Sequence, residues 1–103
     1  MSGANPERGE AALRVGGSVL VLRPSFAALV AAESELGPLF ALVERAAAGR
    51  LALTEMVALF WHCLREVPEG MTRECFGERV TAGGLAATTP ALRTLLQQIL
   101  AGR

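Results

Sequence analysis

The sequence predicts an α+β fold that is mainly α, with an N-terminal β-hairpin packed on four or five short helices. Two observations lead to this prediction. Apolar residues alternate around Gly16-Gly17, and the rest of the chain is a series of helix-periodic apolar segments separated by glycine and proline. A length of 103 residues suits one domain. We expect residues 1–9 to form a loose tail and residues 10–103 to form a single compact domain.

The hairpin is predicted over residues 10–23. Ala11, Leu13 and Val15 alternate with Ala12 and Arg14, and a second apolar stretch covers residues 18–23. The Gly-Gly loop between them suits a tight hairpin turn, because such turns need positive φ angles. An isolated two-stranded hairpin is only marginally stable in water, so this one is expected to lie against helices.

Two helices are predicted next, over residues 25–36 and 38–48. Ser25 is a suitable N-cap for the first and Gly37 a suitable end, while Pro38 suits the start of the second. The apolar face assigned to the first helix consists of Phe26, Leu29, Val30 and Leu36. Glu33 falls within that face. We expect it to be at least half-buried, as a structural group bonded to an arginine or to backbone N–H groups at a helix start, with a site or interface role as the alternative.

The helix predicted over residues 54–67 is expected to be the most buried element. Thr54 is a suitable N-cap, and Glu55 complements the helix dipole. The apolar face is wider than an ordinary amphipathic stripe, so the helix should contact neighbours on two sides. Its members are Met56, Leu59, Phe60, Cys63 and Val67, extended by Val57 and Leu64, with Trp61 at the edge.

Two further helices complete the predicted fold, over residues 72–82 and 90–101. Thr72 is a suitable N-cap for the first, and Gly77 weakens its helix propensity. Gly83-Gly84 marks a turn before the last helix. That helix carries a clear apolar stripe, made of Leu92, Leu95, Leu96, Ile99 and Leu100.

No arrangement of residues in the sequence predicts catalysis, a cofactor site or a metal site. His62 and Cys63 are adjacent on a helix, so their side chains point about 100° apart and cannot form a dyad. Together with Cys75 they lack the spacing of a zinc site. We interpret both cysteines as small buried hydrophobes and His62 as a surface residue weakly paired with Glu66. The protein is therefore predicted not to be an enzyme.

Charge and hydropathy argue against nucleic acid and membrane partners. Ten arginines balance ten glutamates, and no basic patch stands out. No apolar run approaches the roughly 20 residues needed to span a bilayer. The first residues contain no apolar signal-peptide core, so a cytoplasmic location in a bacterial host is expected.

The surplus of apolar helix surface predicts binding to another protein. An exposed apolar patch usually marks an interaction site, and in isolation it is expected to be covered by self-association into a homo-oligomer. Trp61 is interpreted as a core residue or as a partner-facing anchor. The residues predicted to bind a partner are Val57, Trp61, Leu96 and Leu100.

The order of short motifs resembles the small tail protein of gene transfer agents and related phages, often described as a tail assembly chaperone. The resemblance covers about nine tenths of the chain. It begins with Gly9-Glu10-Ala11-Ala12-Leu13 and the Gly-Gly hairpin, and continues through Phe26-Ala27-Ala28-Leu29 with Glu33 and Leu36-Gly37. The later parts are Leu39-Phe40-Ala41-Leu42, Ala48-Gly49-Arg50-Leu51, the segment 53–65, Gly83-Gly84-Leu85 and the leucine-rich last helix.

The resemblance implies a role in phage tail assembly (virion morphogenesis). Genes of this family typically lie between those of the tail tube protein and the tape measure protein. A tail assembly chaperone would coat the long, hydrophobic tape measure before tube subunits polymerise around it. The resemblance leaves a structural part of the tail tube as the alternative within the family. The alternative outside it is a small adaptor or regulatory domain that binds a helix.

Overall fold

The computed structural model describes residues 9–101 and has the predicted α+β architecture. Within these residues a two-stranded hairpin is followed by five α-helices, which confirms the fold class. A 3-10 turn, Leu85–Thr88, leads into the last helix. Most of the predicted tail, residues 1–8, lies outside the described residues. The elements are β1 Ala11–Val15, β2 Ser18–Leu22, α1 Phe26–Leu36, α2 Leu39–Ala47, α3 Leu53–Cys63, α4 Arg73–Ala82 and α5 Thr89–Ala101.

The predicted hairpin is confirmed, with the two strands paired antiparallel across Gly16-Gly17. Val15 is paired with Ser18 next to the turn. Gly16 and Gly17 have φ angles of 53° and 84°, a conformation that suits glycine and matches the twist of a tight hairpin. One face of β1 is buried, so the hairpin is held by the hydrophobic core rather than by strand pairing alone.

The predicted continuation of α3 to Val67 is wrong, because the helix ends at Cys63. Leu64 is extended and forms a single antiparallel bridge with Leu22 of β2. The Arg23 N–H donates to the Cys63 carbonyl at 2.6 Å, and the Arg65 N–H donates to the Val21 carbonyl at 2.9 Å. Pairing with the outer edge of β2 thus accounts for the end of α3 at Cys63. Local apolar periodicity carries no information about this long-range pairing.

The core is centred on α3, as predicted. Leu59 and Phe60 are both fully buried. The other elements contribute side chains to the same cluster, and those of Leu13, Leu22, Leu42, Phe76, Val80 and Leu95 are all at most 2% exposed. The N-cap is Ala52 rather than the predicted Thr54, and the Glu55 carboxylate accepts a hydrogen bond from the Ala52 N–H at 3.0 Å.

The predicted orientation of α1 is wrong in part, because Leu29 and Leu36 pack against the core as predicted but Phe26 and Val30 do not. Phe26 is 85% exposed and Val30 is 46% exposed, whereas Ala32 is fully buried and α1 packs on α3. Apolar residues occupy most positions of α1, so periodicity did not define a unique inward face. The small side chain of Ala32 allows a close approach to α3. The same rotation places Glu33 in solvent, and the prediction of a buried Glu33 is wrong.

Glu33 instead organises the corner between α1 and α2. Its Oε2 accepts a hydrogen bond from the Leu39 N–H at 3.1 Å, at the start of α2, which is one of the two kinds of partner expected for it. Gly37, with φ 88°, donates its N–H to the Glu33 carbonyl.

In the described part of the chain no single helix is long and apolar enough to cross a membrane. Taken together α1 and α2 reach that length and composition, but they are bent by 79°.

The predicted N-caps of α1 and α4 are confirmed. The Ser25 hydroxyl accepts from the Ala28 N–H at 3.2 Å, and the Thr72 hydroxyl accepts from the Cys75 N–H at 3.1 Å. Each satisfies one of the backbone donors left free in the first helical turn. The N-termini of these two helices are thus marked by residues within three positions along the chain.

Candidate interaction surfaces

The residues with the most reactive side chains do not form a chemical site. Cys63 is buried, and burial raises the pKa of its thiol to about 12. The thiol therefore stays protonated at neutral pH and is a poor nucleophile. Cys75 is a half-buried free cysteine. Between residues 9 and 101, no group of three histidine, cysteine or acidic side chains is placed to hold a metal ion.

His62 belongs to a hydrogen-bond network that ties three helices together. Its Nε2 lies 2.7 Å from Oε1 of Glu35, so the predicted pairing with Glu66 is wrong. The other carboxylate oxygen of Glu35 accepts from Nη2 of Arg73 at 2.6 Å. The hydrogen bonds from Arg73 and then from His62 hold the pKa of Glu35 below its usual range. The network joins α1, α3 and α4 on the surface.

A buried carboxylate that the sequence did not reveal is Glu10. It is 1% exposed, and both of its carboxylate oxygens lie 3.3 Å from Nη1 of Arg65. The Gln98 side chain of α5 also donates to the Glu10 carbonyl at 3.1 Å. Strand alternation would place Glu10 on the same exposed face as Ala12, so no local pattern signals its burial. The pair is a structural tie between the hairpin and the segment after α3.

The first interaction surface is an uncharged apolar patch formed by α1, α2 and α5. Phe26, Phe40 and Leu100 are 85%, 80% and 59% exposed. A cavity of about 200 Å³ lies beside Phe40 and Leu100, and no charged side chain lines it. Phe26 precedes Leu29, which also lines this cavity, by one turn of α1. We call this surface the apolar patch, and it consists of Phe26, Leu29, Val30, Leu39, Phe40, Val43, Ile99 and Leu100. Exposed aromatic side chains grouped in this way are typical of an interaction site.

The second interaction surface is an open trench of about 760 Å³ between α3 and α4. Most of its lining surface is apolar. We refer to its apolar lining residues, among them Leu53, Val57 and Gly77, as the floor and to its three glutamates as the rim. A Cβ atom at Gly77 would lie 3.4 Å from a methyl group of Val57, which shows how closely the two helices approach. We call this surface the acidic groove, and it consists of Glu35, Leu53, Thr54, Val57, Arg73, Glu74, Gly77, Glu78, Thr81 and Ala82.

The four residues predicted to bind a partner do not lie on one surface. Val57 lines the acidic groove and Leu100 lines the apolar patch. Trp61 and Leu96 are half-buried and pack against the core, with the Trp61 ring 5.8 Å from that of Phe76. Their role in partner binding stays a prediction. Phe26 and Phe40, the most exposed large apolar side chains in the described part, were missed because Phe26 was assigned inward and Phe40 was given no role.

Comparison with known proteins gives a family for the chain. The family model described as "Phage tail tube protein, GTA-gp10" matches residues 8–102, nearly the whole sequence. No curated protein and no solved structure matches the chain. The match includes the hairpin, all five helices and both interaction surfaces. The chain belongs to the GTA-gp10 family of phage tail proteins.

Proposed function

We propose that this protein is a non-enzymatic tail assembly chaperone of a phage-like particle, and that it binds the tape measure protein. Family membership supports a role in the tail. The observation that carries the finer proposal is the apolar patch, where two phenylalanines are at least 80% exposed. A permanently exposed patch of this kind favours aggregation unless a partner covers it.

The shape of the apolar patch suits a helical partner. Three helices converge on its cavity, and all six lining side chains are apolar. An amphipathic helix binds such a surface by placing apolar side chains between those of the groove. A tape measure protein that is long, helical and hydrophobic would offer many such segments. In the absence of this partner, the same patch favours self-association into a homo-oligomer in the bacterial cytoplasm.

A structural place in the tail tube is the second candidate function, favoured by the description of the family as a tail tube protein. In that case the apolar patch would contact neighbouring subunits of the particle rather than a client protein. Both functions use the same exposed phenylalanines. They differ in the partner that covers Phe26 and Phe40.

Co-expression separates the two functions. The chain is produced together with the tape measure protein from its own gene cluster and, in parallel, with the tube protein. We expect the tape measure protein to become soluble and to co-purify, and the double variant Phe26→Ser, Phe40→Ser to lose this effect. The matched control is Val19→Ser, Leu85→Ser, which removes exposed apolar side chains outside the patch. If the tape measure stays insoluble while the tube protein co-purifies, the chaperone proposal is overturned in favour of the structural one.

A further inference from the structure

We infer that the acidic groove is a second docking site, and that its occupant is a partner-protein helix whose apolar stripe is flanked by arginine or lysine. This surface is separate from the apolar patch, because no residue belongs to both. The inference goes beyond the proposed function, which uses the patch alone. It rests on the charge of the rim, the composition of the floor and the direction of the trench.

The rim of the groove is negative although the chain as a whole is neutral. Three glutamates face a single arginine there, Arg73, whose guanidinium is already held by Glu35 at 2.6 Å. Glu74 and Glu78 lie one turn apart on α4 and make no ion pair with any described residue. Two exposed carboxylates one turn apart above an apolar floor are complementary to a cationic, amphipathic ligand.

The backbone around the groove favours a helix over a strand as the occupant. Both walls are α-helices, whose backbone groups are bonded internally, so they offer no free sheet edge for an added strand. Along α4 the lining residues recur every four positions, at Arg73, Gly77 and Thr81, which gives a trench parallel to the helix axis. A small polar ligand fits less well, because most of the exposed lining surface is apolar.

Gly77 and Val57 adapt the floor to this occupant. Glycine disfavours an α-helix, yet Gly77 lies in the middle of α4. Its missing side chain leaves the floor open beside Val57, which is only half-buried. A side chain at position 77 has room for its Cβ but would occupy the space that a docked helix needs. The proposal thus gives a role to a residue that weakens its own helix.

The test uses two synthetic helical peptides with the same leucine stripe, one flanked by arginine and the other by glutamate. Binding to the full chain is measured by fluorescence anisotropy at low and high salt. We expect the arginine peptide to bind at least about tenfold more tightly than the glutamate peptide, with an affinity that falls as salt rises. Equal binding of the two peptides, or no binding of the arginine peptide, would overturn the proposal.

Matched variants assign the binding to this groove. The double variant Glu74→Arg, Glu78→Arg should lower the affinity for the arginine peptide by about tenfold or more. The control Glu66→Arg, Glu69→Arg makes the same charge change outside the groove and should leave this affinity unchanged. Gly77→Leu should also weaken binding although it raises helix propensity, and circular dichroism of this variant checks that α4 stays folded. The double variant Phe26→Ser, Phe40→Ser should bind the arginine peptide as tightly as the wild type does. If the control charge reversal weakens binding as much as the groove reversal, the site is wrongly assigned.

A second copy of this chain is the competing occupant, and sedimentation distinguishes it. If self-association of the wild-type protein is lost in Glu74→Arg, Glu78→Arg but kept in Glu66→Arg, Glu69→Arg, the groove holds another copy and the partner-helix proposal is overturned. If both variants self-associate to the same extent, and only Glu74→Arg, Glu78→Arg no longer binds the arginine peptide, the partner-helix proposal is supported.

Discussion

At the scale of single residues, two glutamates with different environments tie the elements together. Glu10 is buried, and its two carboxylate oxygens lie 3.3 Å from Nη1 of Arg65, so the pair joins the hairpin to the segment after α3. Glu35 lies on the surface and holds both His62 and Arg73. A buried ion pair adds little to stability compared with an apolar replacement, but breaking it leaves an uncompensated charge. Exposed pairs such as those of Glu35 are screened and contribute far less.

Arg65→Ala is expected to lower the free energy of unfolding by about 3 kcal/mol, because it removes the Arg65 guanidinium from the buried Glu10 carboxylate. The value lies at the low end for a buried pair, since the Arg65 side chain is 23% exposed. Urea denaturation at neutral pH measures it. Arg93→Ala is the control, because Arg93 is exposed and makes no ion pair with a described residue. A loss no larger than that of the control would contradict the structural role of the pair.

Glu35→Gln tests how the contribution of Glu35 to the free energy of unfolding changes with pH. The pKa of Glu35 is lowered in the folded state by the hydrogen bonds from Arg73 and His62. Its contribution to stability is therefore present above the ordinary value of 4.5 and is lost as the pH falls through the lower folded pKa. We expect the stability difference between wild type and variant to shrink in acid urea melts. Glu44→Gln, at an exposed position without an ion pair among described residues, should give no such trend.

At the scale of elements, α1 shows how packing rather than periodicity sets the orientation of a helix. Its largest side chain, Phe26, points to solvent, while Ala32 is buried where α1 meets α3. A small residue can be accommodated where two helices pack closely, and of the larger apolar residues of α1 only Phe26 and Val30 are left on the outside. The exposed part of the apolar patch is a direct consequence of this choice.

Ala32→Leu should destabilise the protein by about 1–3 kcal/mol, because the added carbon atoms would overpack a fully buried position. Ala27→Leu makes the same change at an exposed position of α1 and should have an effect within about 0.5 kcal/mol. Thermal melts followed by circular dichroism compare the two. Equal melting temperatures would mean that α1 packs on α3 through a different face.

The elements that the sequence predicted correctly are those set by local chemistry. Gly16-Gly17 determines the hairpin turn, and Ser25 and Thr72 determine where two helices begin. The errors involve residues that respond to distant parts of the chain. Leu64 leaves α3 because Leu22 offers it a strand edge, and Glu10 is buried because Arg65, 55 positions later, reaches it.

The same distinction applies to the interaction surfaces. Val57 and Leu100 each line a surface, but the sequence had no means of separating the two sites. The apolar patch joins side chains of α1, α2 and α5, and α5 begins more than forty residues after α2 ends. The acidic groove needs the relative placement of α3 and α4. Neither arrangement of helices can be predicted from the pattern of residues within one segment.

At the scale of the whole molecule, the chain combines an uncharged apolar patch with an acidic groove. The patch joins α1 and α2 to α5, and the groove joins α3 to α4, so each surface depends on the assembled fold rather than on one helix. A neutral patch provides adhesion with little charge selectivity, whereas a charged rim provides selectivity and faster association. This division of roles suits the proposed tail assembly chaperone, which would have to hold a hydrophobic helical partner and still recognise the right one.

Phe26→Ser, Phe40→Ser should reduce self-association of the isolated protein without unfolding it. Both rings are at least 80% exposed, so their removal costs the folded state little core packing, and we expect a stability change below about 1 kcal/mol. Removal of both rings nevertheless takes away the two most exposed apolar side chains of the patch. Sedimentation velocity over a range of concentrations should show a smaller average mass for the variant than for wild type. Val19→Ser, Leu85→Ser, which changes exposed apolar residues elsewhere, should sediment like the wild type. A variant that remains as associated as the wild type, with an unchanged melt, would mean that other surfaces join the copies and that the patch stands free for its partner.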